Sequence, residues 1–359
     1  MRGFKSAFIL LASATLLTST LAGCIGSRAG VPLTFSEADV PREPEPSSNW
    51  SLPAERAEEI LRSSPYEIRS VVGAGAGVTG ARSADLTFEI TEADEDEVYL
   101  WELSGDVRLK VKAFPSPSMD GWNNNPRKEI AAYEVQKLFL DPRDYVVPTT
   151  VARCIPVEIQ SRYRANARPT VGGTNCGLVA VSLWLENVTI PDAFYDEARF
   201  RSDPAYAYAY GIFNILTYLS NHRDNRKGNF LVSKDDQFPR AYAIDNGIAF
   251  GSWIYNWFIP SSYAWREIIV PAVPKSAVDR LRELSRADLD RFSVLAEFRM
   301  DEQGYLETVP PSRSADPDRA VNIDDRTVQL GLTVKEIDHI WERIEKLIER
   351  VDEGQLGVF

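Results

Sequence analysis

The sequence predicts an α+β protein of two lobes, with a β-rich first lobe that contains one main helix and a helical second lobe. Alternating apolar residues, the period of half-buried strands, dominate residues 66–114. Apolar residues spaced by three and four, the period of amphipathic helices, are clearest at residues 334–351. The chain becomes helical in character beyond residue 185, so we expect lobes at residues 53–185 and 186–359.

The first lobe is expected to begin with a short helix at residues 53–62 and to continue as strands. Apolar and alternating stretches predict these strands at residues 68–72, 85–90, 98–103, 106–114, 146–151 and 177–185. In the strand at residues 106–114, one face is apolar and the other face carries Arg108, Lys110 and Lys112.

The expected helices have recognisable starts or apolar faces. Asn125-Pro126 is typical of a helix start, so the main helix of the first lobe is expected at residues 127–140. In the second lobe we expect a buried helix at residues 205–219 and short strands at 230–232 and 240–244. From Ser276 to the end the chain is expected to be mainly helical.

Residues 1–23 are typical of an export signal, because a basic start precedes an apolar run that contains no Asp or Glu. The run leads into Leu-Ala-Gly-Cys at positions 21–24, which resembles a bacterial lipobox. The resemblance implies cleavage before Cys24 and diacylation of its thiol, whereas an ordinary signal peptide with a chance cysteine is the alternative. Several acyl chains give stable anchoring. Ile25 follows the cysteine, and by resemblance to Gram-negative lipoproteins this favours the outer membrane.

Residues 24–52 are rich in Pro and Ser and predict a flexible tether between the membrane and the first lobe. The net charge of −12 argues against nucleic acid and anionic lipid headgroups as primary partners. In an oxidising compartment Cys154 and Cys176 are candidates for a disulfide, although their spacing does not establish its geometry. The sequence leaves the oligomeric state open.

A polar loop at residues 222–229, His-Arg-Asp-Asn-Arg-Lys-Gly-Asn, is the strongest functional signal. It places Asp224 five residues before Asn229, and Asp245 follows after one short hairpin. Phosphoryl transfer from ATP needs one carboxylate to orient the attacking hydroxyl, and an amide oxygen with a second carboxylate to hold Mg²⁺. Taken alone, the loop is also typical of a solvated turn, and Asn246-Gly247 of a hairpin turn. Their occurrence together favours the catalytic interpretation.

The loop resembles the H-R-D-x-x-x-x-N catalytic loop of the protein kinases, with Asp245-Asn246-Gly247 in the place of their D-F-G. It is also similar to the D-x-x-x-x-N loop of the HipA-like and phosphatidylinositol 3- and 4-kinase-like atypical kinases. The resemblance covers about residues 61–351. It implies a two-lobed protein-kinase-like fold, ATP and Mg²⁺ as cofactors, Asp224 as the residue that orients the acceptor, and Asn229 and Asp245 as metal ligands.

Three departures favour the atypical branch over the conventional protein kinases. Asn246 replaces the Phe of D-F-G, and the sequence contains no A-P-E element. Arg226 stands where the phosphatidylinositol kinase-like enzymes usually have His.

A strand lysine completes the predicted catalytic set. Lys112 would neutralise phosphate oxygens, and Glu129 at the start of the next helix would hold the lysine ammonium. The sequence from Lys112 through Glu129-Ile-Ala-Ala-Tyr resembles bacterial atypical kinases, in which a strand lysine precedes an E-x-A-A-Y helix. Lys110 is an alternative to Lys112 on the same strand face, and Glu134 is an alternative to Glu129.

Two further segments are expected to contact the nucleotide. Gly75, Gly77 and Gly80 lie in a glycine cluster whose position is similar to the ATP lid of the atypical kinases, with a flexible linker as the alternative. Glu186 and Val188 follow the predicted central strand, where kinases place the hinge that binds adenine through its backbone.

The predicted function is that of an exported, lipid-anchored atypical kinase that transfers the γ-phosphate of ATP to a hydroxyl, most readily of a protein substrate. Because ATP is scarce outside the cytoplasm, a catalytically idle kinase fold that binds a partner is a second hypothesis. A third is transfer of the nucleotidyl (AMP) group in place of the phosphoryl group. The sequence does not identify the acceptor.

Overall fold

The structure is a computed structural model. It describes residues 33–42, 49, 52–73, 82–88, 107–114, 125–162, 164, 167–224, 227–251 and 265–359. The predicted export signal, Cys24, the predicted strand at 98–103 and the three glycines of the predicted ATP lid lie outside the described residues.

A five-stranded antiparallel sheet forms most of the first half, in the order β1-β2-β3-β5-β4. Its strands are β1 (Tyr66–Gly73), β2 (Arg82–Phe88), β3 (Val107–Ala113), β4 (Thr150–Pro156) and β5 (Cys176–Leu183). β3 lies between β2 and β5, and Lys112 is opposite Ala180 of β5. The alternation predicted for β3 is confirmed, because Leu109 and Val111 join an apolar cluster while Lys110 and Lys112 make polar contacts.

Two helices cover this sheet. Leu61 of α1 (Ala54–Ser63) is fully buried against Leu109 and Val111, on the apolar face of β3. α2 (Arg127–Gln136) packs against β4 and β5, and almost all of its side chains are buried. α2 ends earlier than the predicted helix at residues 127–140, because residues 137–139 form a turn.

Cys154 of β4 and Cys176 of β5 form a disulfide, with their Cα atoms 5.5 Å apart. α3 (Val157–Gln160) follows β4 directly. Cys176 is fully buried in the same apolar cluster as Leu178 and Ala180. The disulfide for which the two cysteines were candidates is therefore present in the structure.

The second half is built around a buried helix and a small sheet. α4 (Glu197–Ser202) leads into α5 (Pro204–Leu219), in which every residue after Pro204 is buried. α5 begins with Asp203 as its cap, since the Asp203 carboxylate accepts a hydrogen bond from the Tyr206 N–H. Beside it lies an antiparallel sheet, in the order β6-β7-β8, whose strands are β6 (Val188–Thr189), β7 (Phe230–Ser233) and β8 (Ala241–Ala243).

The C-terminal region contains two helices and a short parallel pairing. α6 (Lys275–Arg282) and α7 (Val334–Asp352) pack against each other. β9 (Ala272–Val273) pairs with β14 (Gly357–Val358). α7 starts with a capping box of Thr333 and Glu336, and it buries an apolar face formed by Ile337, Ile340, Ile344 and Leu347.

The prediction that residues from Ser276 onward are mainly helical was wrong for residues 296–330. These residues form an antiparallel sheet in the order β11-β10-β13-β12. Its strands are β10 (Ala296–Met300), β11 (Leu306–Val309), β12 (Val321–Ile323) and β13 (Thr327–Leu330). Phe298 is fully buried in one cluster with Ile130 of α2 and Leu178 of β5. The second sheet therefore shares a core with the first half of the chain.

The polar interior of the second sheet explains why its apolar period is weak. Glu297 and Gln329 are both buried although they are polar. The Glu297 carboxylate accepts hydrogen bonds from Ser312 and from the Gln329 Nε2 at 2.7–3.0 Å. These partners satisfy the buried polar groups, and no apolar residue is needed at either position.

Residues 33–42, within the predicted tether, pack against the second half. The rings of Phe35 and Phe359 meet edge to face at 5.5 Å. Arg42 forms an ion pair with Asp144 at 2.8 Å and lies over the ring of Tyr208. The predicted tether at residues 24–52 therefore includes a segment, residues 33–42, that packs against the second half.

The coarse prediction of an α+β fold is confirmed by these sheets and helices. Among the described residues, none of the helices is long and apolar enough to cross a membrane.

Candidate functional site

The ammonium group of Lys112 on β3 is buried between two carboxylates. Its Nζ lies 2.8 Å from the Glu129 Oε1 on α2 and 2.9 Å from the Asp245 Oδ1, which follows β8. The Lys112 side chain is 3% exposed and that of Glu129 is 5% exposed, whereas that of Asp245 is 27% exposed. This triad joins three segments that are distant in the sequence, and Asp245 is its most accessible member.

Charge pairing keeps Lys112 and Asp245 ionised. Burial alone would lower the pKa of Lys112, but the nearby Glu129 and Asp245 carboxylates outweigh it and raise that pKa. Burial alone would raise the pKa of Asp245, but the Lys112 and Lys110 ammonium groups hold it well below its usual range. Each charge is thus stabilised by its partners.

The two alternative residues that the sequence left open, Lys110 and Glu134, make different contacts from Lys112 and Glu129. Lys110 donates a hydrogen bond to the Ile244 carbonyl at 2.7 Å and lies 3.8 Å from Glu129, so Lys112 makes the closer ion pair. Glu134 forms its ion pair with Lys137 instead, at 2.7 Å.

The second oxygen of Glu129 connects α2 to the turn after β8. Glu129 Oε2 accepts a hydrogen bond from the Asn246 N–H at 2.9 Å. One residue further along the turn, the Gly247 carbonyl accepts a hydrogen bond from the Asn125 N–H at 3.1 Å, just before α2 begins. The start of α2 and the Asp245-Asn246-Gly247 turn are therefore held together at two points.

The polar loop at residues 222–229 lies beside this turn. Asn229 Nδ2 donates a hydrogen bond to the Asp224 carbonyl at 2.9 Å, and the Ile244 N–H donates to the Asn229 carbonyl at 3.0 Å. Asp224 and Asn229 are both buried. The structure thus brings together all five predicted catalytic and metal-binding residues, which are Lys112, Glu129, Asp224, Asn229 and Asp245.

His222 links the loop to the turn through its ring. It is fully buried, and its Nε2 lies 3.2 Å from the Asp245 carbonyl. Because a carbonyl only accepts, Nε2 carries the proton. Within the described part of the chain, the buried Nδ1 has no hydrogen-bond partner. Burial lowers the pKa of His222 despite the nearby carboxylates of Asp224, Asp245 and Glu129. The ring is therefore neutral in the folded protein at pH 7.

The turn ends in an uncommon backbone conformation. Phe250 has a φ of 58°, in the left-handed region that non-glycine residues seldom adopt. Its N–H donates a hydrogen bond to the Ser220 carbonyl at 2.7 Å, at the end of α5. This bond fixes the far end of the turn against the helix that precedes the polar loop.

A cleft with a volume of ≈ 350 Å³ opens next to the triad. Lys110 and Glu129 lie at its polar end, and its walls are mostly apolar. The wall residues are Val147, Pro148, Thr150, residues 182–190, Leu231, Ala243, Ile244 and Asn246. A cleft of this size and character is suitable for a small-molecule ligand.

Glu186 and Val188, the predicted hinge, both line this cleft. However, the carboxamide of Asn49 occupies the backbone groups of Glu186. The Glu186 N–H donates to Asn49 Oδ1 at 2.7 Å, and the Glu186 carbonyl accepts from Asn49 Nδ2 at 3.2 Å. A base that used these two groups would have to displace Asn49.

The residues present fit a Mg²⁺ ion only together with further oxygen ligands. Asn229 donates through its Nδ2 to a carbonyl, so its Oδ1 is the atom that remains as an acceptor. Across the described ranges, no three or more His, Cys, Asp and Glu side chains are grouped to hold a metal ion. A Mg²⁺ ion at this point would have two candidate oxygen ligands, from Asn229 and Asp245, and Mg²⁺ commonly takes its others from water and phosphate.

Comparison with models of known protein families found no match for this sequence. A search of curated proteins also found no relative.

Sequence reasoning missed three contacts of the site. These are the Lys110 bond to the Ile244 carbonyl, the His222 bond to the Asp245 carbonyl, and the Asn49 bonds to Glu186. Each uses a backbone atom as partner, and backbone atoms carry no residue-type signal in a sequence. The two-residue spacing of Lys110 and Lys112 was the available sign that both lysines face the site.

We predict that His222 makes the protein less stable below about pH 6.5. The unfolded chain binds a proton at His222 near its ordinary pKa, whereas the folded protein resists protonation there because the ring is buried. This contribution to stability is present above the ordinary pKa and is lost as the pH falls through it. Urea unfolding of the wild type between pH 7.5 and 5 should show a decline in the free energy of unfolding.

The His222→Gln variant, whose Nε2 can still donate to the Asp245 carbonyl, should show a smaller decline. His339→Gln on the surface of α7 is the matched control and should keep the wild-type slope. Equal slopes for the wild type and His222→Gln would contradict the neutral buried ring.

Proposed function

We propose that this protein is an ATP-dependent phosphotransferase with a two-lobed protein-kinase-like fold. In this proposal the five-stranded sheet with α1 and α2 is the first lobe, and the helices around α5 form the second. The observation that carries the proposal is the buried Lys112 ammonium, which is held by Glu129 and Asp245. Glu129 and Lys110 also line a neighbouring ligand-sized cleft. The adjoining loop supplies Asp224 and Asn229.

Each residue has a role that follows from its contacts. Glu129 holds the Lys112 ammonium, and Lys112 would donate hydrogen bonds to phosphate oxygens. Asp245 and the Asn229 Oδ1 would hold Mg²⁺. Asp245 suits this role because it is the most accessible member of the triad. Asp224 would accept a hydrogen bond from the acceptor hydroxyl and orient it. Bound ATP would supply the transferable phosphoryl group.

Lys110 adds a second cation to the polar end of the cleft. Because its ammonium is fixed to the Ile244 carbonyl and also lies near Glu129, it would strengthen the positive potential where phosphates bind. The acceptor in this proposal is a hydroxyl group, most readily of a protein, since the chain's net charge of −12 does not favour an anionic lipid surface.

A catalytically idle kinase fold that binds a partner is the second candidate. One observation favours it, because Asn49 occupies the Glu186 backbone groups that an adenine base would use. In this candidate the triad is retained as a structural link between the two halves of the chain.

We also propose that the protein is exported and lipid-anchored at Cys24. The disulfide between Cys154 and Cys176 supports export, because such bonds persist in oxidising compartments. Expression of the full chain in a Gram-negative host with labelled palmitate tests this proposal. The wild type should carry the label and Cys24→Ser should not. Label on the Cys24→Ser protein, or on neither protein, would contradict the anchor.

The kinase proposal predicts that Asp245→Asn lowers Mg²⁺-dependent phosphoryl transfer from ATP by roughly 100-fold or more, because a metal ligand and its charge are lost. Turnover of γ-labelled ATP by the purified protein is the measurement, and α-labelled ATP distinguishes nucleotidyl transfer. Asp236→Asn is the matched control, because the Asp236 side chain is 97% exposed. This variant should retain wild-type turnover.

Circular dichroism of both variants separates a catalytic loss from unfolding. Undiminished turnover by folded Asp245→Asn would contradict the proposed metal site. A wild type that shows neither turnover nor a melting-temperature shift with millimolar Mg²⁺-ATP would favour the idle fold.

A further inference from the structure

A second cavity, with a volume of ≈ 470 Å³, lies between α7, the end of α5 and the turn that leads into the polar loop. Among the described residues, the two cavities share no lining residue. α7 contributes one side of the cavity through residues spaced by three or four positions, which lie on a single helix face. These residues are Lys335, His339, Glu342, Arg343 and Lys346.

The side chain of Arg343 is held in one orientation at the wall of this cavity. Its guanidinium donates hydrogen bonds to the carbonyls of Tyr218 and Arg266, each at 3.0 Å, and to the Asn221 Oδ1 at 3.2 Å. It also lies 4.7 Å from the centre of the Tyr218 ring. All three hydrogen-bond acceptors are neutral. They orient the guanidinium group, but they do not neutralise its charge.

Arg223 and Arg266 bring further positive charge close to Arg343. Burial lowers the pKa of Arg343, and the nearby Arg266 also lowers it, whereas Tyr218, Glu267 and Glu342 act in the opposite direction. Burial is also the main cause that lowers the pKa of Arg223, and repulsion from Arg266 and Arg343 lowers it further. The three guanidinium groups are consequently close enough to repel one another.

Carboxylates offset this charge only in part. Glu267 lies 4.0 Å from Arg266 and its side chain is 55% exposed, so solvent screens the interaction. Of the lining side chains that the structure describes, four are Arg or Lys and two are Glu. The cavity is therefore rich in cations although the whole chain has a net charge of −12. An anion bound there would relieve the repulsion.

We propose that this cavity is a binding site for a phosphate-type oxyanion. Guanidinium groups present planar pairs of N–H donors that match phosphate oxygens, and ammonium groups add mobile point charges. Arg343 would supply the oriented donors, while Lys335 and Lys346, both exposed, would close on the anion from α7. The volume exceeds the needs of one inorganic phosphate ion, which favours a phosphomonoester that carries an additional group.

The position of the cavity indicates what such a ligand would influence. Asn221 and Arg223 line it, and the next residue is Asp224 of the polar loop. A ligand that contacts Arg223 would thus bear directly on the backbone that places Asp224. Binding itself needs neither ATP nor Mg²⁺, so the site does not depend on the proposed kinase activity.

The test measures the melting temperature of the full chain with increasing O-phosphoserine or inorganic phosphate, with chloride added to hold the ionic strength constant. The test variant is Lys335→Gln/Lys346→Gln. In the described part of the structure the side chain of neither lysine makes a hydrogen bond or an ion pair, so their replacement should leave the fold intact. Lys234→Gln, at an exposed turn outside the cavity, is the control for removal of a surface lysine charge.

We expect both probes to raise the melting temperature of the wild type and of Lys234→Gln. The dissociation constant derived from these shifts should rise by roughly tenfold in the double variant, because two cations that contact the anion are lost. Tighter binding of O-phosphoserine would identify a monoester as the ligand type. Tighter binding of inorganic phosphate would identify the free anion instead.

The Lys110→Gln variant shows whether phosphate binds in the cleft next to the triad instead. If the shifts disappear in Lys110→Gln and persist in the double variant, the anion occupies that other cleft and the proposal is wrong. Equal shifts in the wild type and the double variant would reflect only the general stabilising effect of phosphate salts and would also overturn it. If neither probe shifts the melting temperature of the wild type, the proposal is likewise wrong.

Discussion

The buried ammonium group of Lys112 is the constraint on which the rest of the site depends. A charge inside a protein is tolerated only if it is paired, and here two carboxylates from separate segments provide the pairing. Loss of one partner from such a buried pair typically costs about 3–5 kcal/mol. The pairing forms only if three elements are in place together. These are the register of β3, the start of α2 and the turn after β8. A shift of β3 by one residue would point Lys112 to the apolar face.

α2 connects the Lys112 site to the C-terminal part of the molecule. Arg127, two residues before Glu129, forms a bidentate ion pair with Glu336 at the start of α7, at 2.9 and 3.0 Å. Ile130, one residue after Glu129, packs in the cluster that contains the C-terminal sheet. The helix that positions the lysine partner is thus held by both α7 and the C-terminal sheet.

The sequence indicated the parts of the site that consist of side chains with a clear chemical role. The alternation of β3 placed Lys110 and Lys112 on one face, and the spacing of Asp224, Asn229 and Asp245 predicted a common polar centre. The C-terminal sheet was missed because its short strands bury polar residues such as Glu297. The contact between Asn49 and Glu186 joins positions 137 residues apart through backbone atoms, and no local pattern encodes it.

The central claim is that the triad and the adjoining loop form a magnesium and phosphate site. Electron paramagnetic resonance of Mn²⁺, used in place of Mg²⁺, tests it most directly on the purified protein with a non-hydrolysable ATP analogue. Because Asn229 and Asp245 would supply only two protein oxygens in this account, Mn²⁺ should bind tightly only when the nucleotide analogue is present, and Asp245→Asn should abolish this binding. Mn²⁺ binding that is equally tight without the nucleotide analogue, or unchanged in Asp245→Asn, would contradict the account.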